Sequence, residues 1–196
     1  MLADKLKGYR IILASQSPRR QVLLKELGLD FEVITNNEID ESWPQELTRE
    51  QIPVYLAELK ADHIMPEVPG DTLLITADTI VWLNGHVIGK PVDKADAVRI
   101  LKELSGAVHE VITGVCLRSG DKKRTFIDSS LVYFTRLTED EISYYVENYR
   151  PFDKAGAYGI QEWIGYIGLE KIEGSYYNVM GLPVQRLYTE LKSFLL

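Results

Sequence analysis

Hydrophobic and polar positions along the chain form segments that predict strands and helices in turn. Short apolar runs at Tyr9–Ala14 and Phe31–Thr35 are typical of buried strands. Between them, Ser17 and Pro18 predict the start of a helix, because serine is a good N-cap and proline suits the first helical position. Apolar side chains at helical spacing indicate further helices around Ile52–Leu59, Asp93–Gly106 and Thr138–Tyr149, and from Pro183 onwards.

Strand patterns occupy much of the remaining chain. Two runs, Thr72–Ala77 and Thr79–Leu83, are followed by Asn84-Gly85, which is a strong hairpin signal. Further strand patterns lie at 107–118, 123–136 and 155–173. Because strands alternate with helices and hairpins occur, the sequence predicts an α/β fold with a mixed, twisted sheet and flanking helices. No repeat or linker marks a boundary, so residues 1–196 are predicted to form a single domain.

Composition narrows the class of protein. With 22 basic and 29 acidic residues the net charge is −7, which argues against nucleic-acid binding. No apolar stretch approaches the ~18 residues of a membrane helix. Met1–Gly8 lacks the apolar segment of a secretory signal, and the single Cys116 excludes an internal disulfide. These features favour a cytoplasmic protein.

The first candidate for chemistry is the segment Ser15–Arg20, between a predicted strand and a predicted helix N-terminus. Free N–H groups and the helix dipole favour an anion at such a position. Two hydroxyl groups and the guanidinium groups of Arg19 and Arg20 would strengthen phosphate binding. The alternative is a capped surface helix with two solvated arginines.

Carboxylates and a lysine form a second set of candidates. Asp78 ends an apolar strand, where it could hold a cation or act as a general base, or simply cap a turn. Lys90 could reach a phosphate or remain solvated, and residues 38–41 could supply a second carboxylate or form a solvated acidic loop. Together these residues predict metal-assisted cleavage of a phosphoanhydride, because Mg²⁺ is held by one or two carboxylates plus substrate phosphates.

The segment Lys154–Gln161 is a third candidate. Its small residues permit close backbone approach to a ligand, and Tyr158 and Gln161 offer stacking and paired hydrogen bonds. The alternative is an ordinary glycine-rich bend.

Taken in order along the chain, these motifs resemble the Maf family of nucleoside triphosphate pyrophosphatases. The resemblance covers about residues 11–187 and is carried by Leu13–Leu24, Ala77–Val81, Gly89–Pro91, Leu104–Gly106, His109–Gly114, Asp153–Gln161 and Gly181–Pro183. It implies an elongated, two-lobed Maf and ITPase-like fold with a central cleft. It also implies hydrolysis of a nucleoside triphosphate to the monophosphate and pyrophosphate, with a divalent cation such as Mg²⁺ or Mn²⁺.

The resemblance further implies a role for individual residues. Asp78 would be the general base, and Glu41 would join it in holding the cation, with Asp40 as the alternative to Glu41. The other catalytic residues, which would hold phosphates, are Lys90, Arg20 and Lys60. The remaining substrate contacts would be Ser15, Arg19, Thr79, Lys154 and Gln161, of which Arg19, Thr79 and Gln161 match positions that set base preference. Glu162 departs from the family, which usually has glycine there.

The sequence therefore predicts an enzyme that acts on dTTP, UTP and related pyrimidine nucleotides. Thr79 favours this branch over the branch that acts on methylated GTP, which has glutamine after the catalytic aspartate. The alternatives are that second branch and a nucleotide-binding regulator of septum formation with little turnover. The expected partner is a small-molecule nucleoside triphosphate, without nucleic acid or membrane, and a homodimer is left open.

Overall fold

The computed structural model describes residues 2–35, 39–69 and 71–194. Within this part, seven strands form one sheet, and they are β1 (Arg10–Ala14), β2 (Glu32–Ile34), β3 (Thr72–Leu83), β4 (His86–Ile88), β5 (Val108–Ser119), β6 (Lys122–Phe134) and β7 (Leu169–Glu173). The helices are α1 (Leu2–Leu6), α2 (Pro18–Glu26), α3 (Gln51–Ile64), α4 (Lys94–Leu104), α5 (Glu139–Tyr149), α6 (Trp163–Gly168), α7 (Tyr176–Val179) and α8 (Val184–Phe194). The predicted α/β class is confirmed.

The sheet is mixed, as the hairpin signals predicted. Its strand order is β2-β1-β3-β5-β6-β7, and β4 pairs with β3. Strand β1 runs parallel to both neighbours, with Leu13 opposite Val33 on β2 and Ile75 on β3. The β3–β4 and β6–β7 pairs are antiparallel. The continuous apolar pattern of β1 follows from its position between two parallel strands, where both faces are buried.

The described residues divide into two compact units, each with its own core. Unit 1 contains the described residues of Met1–Asp78, Thr113–Asp128 and Gly181–Leu196. Unit 2 contains Thr79–Ile112 and Ser129–Met180. Strands β3, β5 and β6 each contribute residues to both units.

In unit 1, α3 packs closely against the sheet. A Cβ atom on Gly114 of β5 would lie 2.4 Å from the carbonyl group of Pro53, so only glycine permits this approach. Pro53 lies in the first turn of α3, where the N–H group that proline lacks would have no helical partner. Pro53 is therefore compatible with a helix that begins at Gln51.

The core of unit 2 forms around α4 and α5. Buried Ile100, Leu101 and Leu104 of α4 pack in the same cluster as Tyr145 and Val146 of α5. Both helices begin with a side-chain cap. The side chain of Asp93 accepts the N–H of Asp96, and Thr138 and Glu141 form a reciprocal capping box.

One predicted element is wrong. The segment 155–173 was predicted as strand, but it contains a 3-10 turn at Ala155–Ala157, then α6, and only β7 is strand. Helix α6 has six residues, which is too short to display a helical period in the sequence. In the described part of the chain, no helix combines the length and the apolar character needed to cross a membrane.

Candidate functional site

The loop between β1 and α2 is ordered by its own hydroxyl groups. Ser15 is buried at the end of β1, and its Oγ accepts the N–H of Ser17 at 3.2 Å. The Oγ of Ser17 accepts the N–H of Arg20, which is the predicted N-cap contact. The N-terminus of α2 therefore begins directly after a buried strand end, where an anion is favoured.

The Arg20 side chain joins three segments of unit 1. Its Nε donates to the carbonyl of Gly181 at 2.7 Å and its Nη1 to the carbonyl of Ala77 at 2.8 Å. Nη1 also lies 3.4 Å from Ser15 Oγ. Burial lowers the pKa of the Arg20 guanidinium, although the charge of Asp78 opposes this shift. Arg20 therefore positions the backbone next to Asp78 in addition to supplying charge.

A lysine bridges two carboxylates at the end of the unit 1 part of β3. Lys60 Nζ lies 2.5 Å from Asp78 Oδ1 and 3.0 Å from Glu41 Oε1. The Lys60 and Asp78 side chains are only 12% and 13% exposed, whereas the Glu41 side chain is 47% exposed. Helix α3, which carries Lys60, is held to β3 where Thr76 donates its hydroxyl to the carbonyl of Ala57. The predicted catalytic aspartate thus lies in a largely buried ion pair.

The structure distinguishes between the acidic residues of the 38–41 segment. Glu41 contacts Lys60, whereas Asp40 Oδ1 accepts the N–H of Ser42 at 3.0 Å and forms a local turn. Glu38 lies outside the described residues. The geometry therefore places Glu41, rather than Asp40, beside Asp78.

The donor atoms of this cluster suit a hard cation. Over residues 2–35, 39–69 and 71–194, no group of three or more His, Cys, Asp or Glu side chains could hold a metal ion. Asp78 and Glu41 offer two carboxylates, and Mg²⁺ commonly takes one or two carboxylates and completes its shell with substrate phosphates and water. The two carboxylates therefore fit a divalent cation whose remaining ligands are substrate phosphates and water.

Unit 2 contains a second polar cluster. Lys154 is 7% exposed, and its Nζ lies 2.7 Å from Asp153 Oδ1 and 3.2 Å from Glu162 Oε1. The neighbouring Gln161 is half-buried. Its Oε1 is buried and accepts no hydrogen bond from the described residues. An acceptor left in this state is costly unless a ligand supplies a donor.

The predicted residues of unit 2 are only partly brought together. The N–H of Gly156 donates to the carbonyl of Gly89 at 3.1 Å, which places the Lys154–Gln161 segment beside the loop that carries Lys90. Lys90 is exposed and makes no hydrogen bond or ion pair within the described residues. Thr79 is half-buried on β3, immediately after Asp78, and Arg19 of unit 1 is half-buried on α2.

Sequence reasoning missed two contributors. Tyr145 was assigned only to the apolar face of a helix, but its hydroxyl donates to the carboxylate of Glu162 and accepts the N–H of Gly159. The carbonyl of Gly181 holds Arg20 across 161 positions of sequence. The Gly181–Pro183 motif marked that segment, but nothing in the spacing indicated its partner.

Comparisons with known proteins place these features in a family. Residues 10–194 match the family model described as Maf: Maf-like protein. The chain is 54% identical over 193 residues to a protein of Parabacteroides distasonis named dTTP/UTP pyrophosphatase, covering 98% of this chain and 100% of that protein. It is 52% identical to one of the same name from Porphyromonas gingivalis, covering 98% of each.

Solved structures agree on the fold. A HAM1 protein from Coxiella burnetii superposes with a TM-score of 0.52 at 17% identity, covering 94% of this chain and 99% of that chain. The Ham1 protein of Staphylococcus aureus gives a TM-score of 0.50 at 17% identity, covering 94% and 98%. At this identity the likeness concerns the fold alone.

Proposed function

The chain belongs to the Maf family, and on this premise we propose that it hydrolyses dTTP, UTP and related pyrimidine nucleoside triphosphates to the monophosphate and pyrophosphate. Relatives that are more than half identical over nearly the whole chain carry the name dTTP/UTP pyrophosphatase. The structural observation that carries the proposal is the Lys60 ammonium group bridging the carboxylates of Asp78 and Glu41. A nucleotide pyrophosphatase needs such a fixed base beside a site for phosphates.

Asp78 is the proposed general base. It takes a proton from water as the water oxygen attacks the α-phosphorus, and the bond from that phosphorus to the α–β bridging oxygen breaks so that pyrophosphate leaves. The ion pair with Lys60 fixes the carboxylate in one orientation, so little reorganisation is needed at the moment of attack. Arg20 contributes by holding the backbone of Ala77, the residue before the base.

Phosphate oxygens are the proposed ligands of both units. In unit 1 they are held by the Ser15 loop, the N-terminus of α2 and the Arg20 guanidinium. In unit 2 the residues proposed to bind phosphate oxygens are Lys90 and Lys154. Lys90 is exposed, and the charge of Lys154 is balanced by two carboxylates. Arg19, Thr79 and Gln161 are proposed to select the base.

Asp78 and Glu41 are the residues that would hold a divalent cation, Mg²⁺ or Mn²⁺. When bound, such a cation neutralises phosphate charge and makes the phosphorus more electrophilic. Lys60 contacts both carboxylates and so fixes their orientation.

The cytoplasm is the proposed compartment, because nucleoside triphosphates and Mg²⁺ are abundant there. The proposed partner is the nucleotide itself, with no nucleic acid or membrane. The net charge of −7 supports the first exclusion, since polyanions need a basic surface.

A panel of nucleoside triphosphates tests the proposal directly. Each nucleotide, including CTP, the purine triphosphates and methylated GTP, is incubated with the protein and Mg²⁺ or Mn²⁺, and pyrophosphate and orthophosphate are measured separately. We expect pyrophosphate as the primary product and the highest kcat/KM with UTP and dTTP. Nucleoside diphosphate with orthophosphate would contradict the reaction, binding without turnover would favour a regulator, and preference for methylated GTP would favour the sister branch.

A further inference from the structure

Both ends of the turn that carries Gln161 form hydrogen bonds with the same tyrosine. The hydroxyl of Tyr145 accepts the N–H of Gly159 at 2.9 Å and donates to Glu162 Oε2. Within the turn, the N–H of Glu162 donates to the carbonyl of Gly159 at 2.9 Å. Gln161 therefore lies inside a four-residue turn whose first and last residues share a partner.

The support beneath this turn is rigid. Tyr145 is fully buried in α5, and its ring stacks on Tyr149 with centroids 5.0 Å apart. The Glu162 carboxylate fills the space next to Gly159, where an added Cβ would lie 2.7 Å from Glu162 Cδ. A side chain held on both sides in this manner leaves the turn few alternative conformations.

Glu162 also has an electrostatic partner in the same cluster. Its other carboxylate oxygen, Oε1, lies 3.2 Å from Lys154 Nζ. One carboxylate thus receives a hydrogen bond from Tyr145 and balances the charge of a buried lysine. Bonds to an ionised acceptor are about twice as strong as neutral ones, so the carboxylate is the anchor of the network.

We propose that Glu162 is a positioning residue for base selection, acting through Gln161. The proposal rests on the proposed function, because it concerns how the base of a pyrimidine triphosphate is distinguished. The carboxylate holds the turn through Tyr145, and the turn orients Gln161, whose buried Oε1 has no hydrogen-bond partner among the described residues and accepts the N3–H of uracil or thymine. Cytosine has no proton at N3, so a correctly aimed acceptor disfavours it.

The test compares kcat/KM for UTP and CTP, because the triphosphate is common to both and cancels in their ratio. In Glu162→Ala and in Tyr145→Phe we expect the UTP-over-CTP ratio to fall about fivefold, because a hydrogen bond of the turn is lost. In Glu162→Gln, whose amide oxygen still accepts from Tyr145, most of the ratio should be retained. Glu170→Ala, at an exposed position of β7, is the matched control.

A double-variant cycle separates positioning from a general loss of structure. In a Gln161→Ala background, Glu162→Ala should leave the ratio unchanged, because the group that it positions is gone. A ratio that is unchanged in Glu162→Ala, or that falls equally with and without Gln161, would overturn this inference. If the unaltered protein released no pyrophosphate from any nucleotide, the proposed function would be wrong, and the inference with it.

Discussion

The polar clusters of the two units are assembled in different ways. In unit 1, Ser15, Arg20, Lys60 and Asp78 come from three separate segments, and Arg20 reaches Gly181, 161 positions away. In unit 2, residues 153–162 form most of the cluster, and the added Tyr145 is 17 positions from Glu162. The first cluster depends on the whole core of its unit, whereas the second depends on one turn and one helix.

This difference matches the roles proposed for the two clusters. A general base must be held against thermal motion, and long-range contacts to the core provide that restraint. Base selection can be adjusted by changes within a short turn, because such changes leave the rest of the unit intact. The comparison therefore predicts that substitutions of Arg20, Lys60 or Asp78 in the unit 1 cluster reduce all turnover, whereas substitutions in the 159–162 turn of unit 2 change selectivity.

The largest expected effect is that of Asp78→Asn. Asparagine keeps the size of the side chain but cannot accept the proton of water, and loss of a general base commonly lowers the rate by ~10²–10⁴-fold. All nucleotides should be affected alike, as measured by pyrophosphate release. Lys60 keeps its contact with Glu41, so the variant should fold.

Asp121→Asn, in the exposed turn between β5 and β6, is the matched control for this substitution. If folded Asp78→Asn retained more than roughly a tenth of the activity, outside the range for a lost base, Asp78 would not be the base.

The sequence predicted the elements and the candidate residues better than it predicted their contacts. Apolar periodicity located α4 and α5, and Ser17 with Pro18 located the start of α2, because burial and helix ends leave local signals. It could not show that two Arg20 donors bind backbone carbonyls, since that contact depends on how distant segments pack. Nor could it reveal the turn at 159–162, because a hydroxyl on another helix closes it.

Arg20→Ala and Lys90→Ala compare a unit 1 residue that binds backbone carbonyls with an exposed residue of unit 2. Charge-assisted hydrogen bonds contribute about 1.5–3 kcal/mol, so each substitution should lower kcat/KM by roughly tenfold or more. Only Arg20→Ala should also lower the free energy of unfolding, by about 1–3 kcal/mol, since it leaves the carbonyls of Ala77 and Gly181 without this donor.

Urea unfolding of both variants, measured beside their kinetics, checks this contrast. Lys90 is exposed, so the free energy of unfolding of Lys90→Ala should match that of the unaltered protein. Equal kcat/KM in both variants and the unaltered protein would exclude both residues from phosphate binding.

Acid should destabilise the protein through a buried imidazole of unit 2. His109 Nε2 lies 2.7 Å from the hydroxyl of Tyr158, and burial lowers the pKa of His109 from 6.5 to about 4. The unfolded chain therefore binds a proton below about pH 6.5 that the folded chain does not bind, so stability falls as the pH decreases toward 4. Between pH 7 and pH 5 we expect a loss of up to ~2 kcal/mol from this residue.

His109→Gln should remove that part of the pH dependence in urea unfolding, whereas His63→Gln, at an exposed position, should not. Identical pH profiles for His109→Gln and the unaltered protein would show that His109 does not cause the loss of stability in acid.

The effect expected for Gln161→Glu is the most selective one. Uracil and thymine present an N3–H donor beside carbonyl acceptors, and the Gln161 carboxamide can pair with this edge through its oxygen and its NH₂ group. In Gln161→Glu the carboxylate cannot donate to O4, so UTP should lose more than CTP, and the UTP-over-CTP ratio of kcat/KM should fall by about tenfold. Within the described part of the chain, no donor reaches the buried Oε1 of Gln161, which supports its role as an acceptor for a ligand. An unchanged ratio with reduced kcat/KM for both nucleotides would mean that Gln161 contributes to turnover and not to base selection, and the proposed division between the two clusters would be wrong.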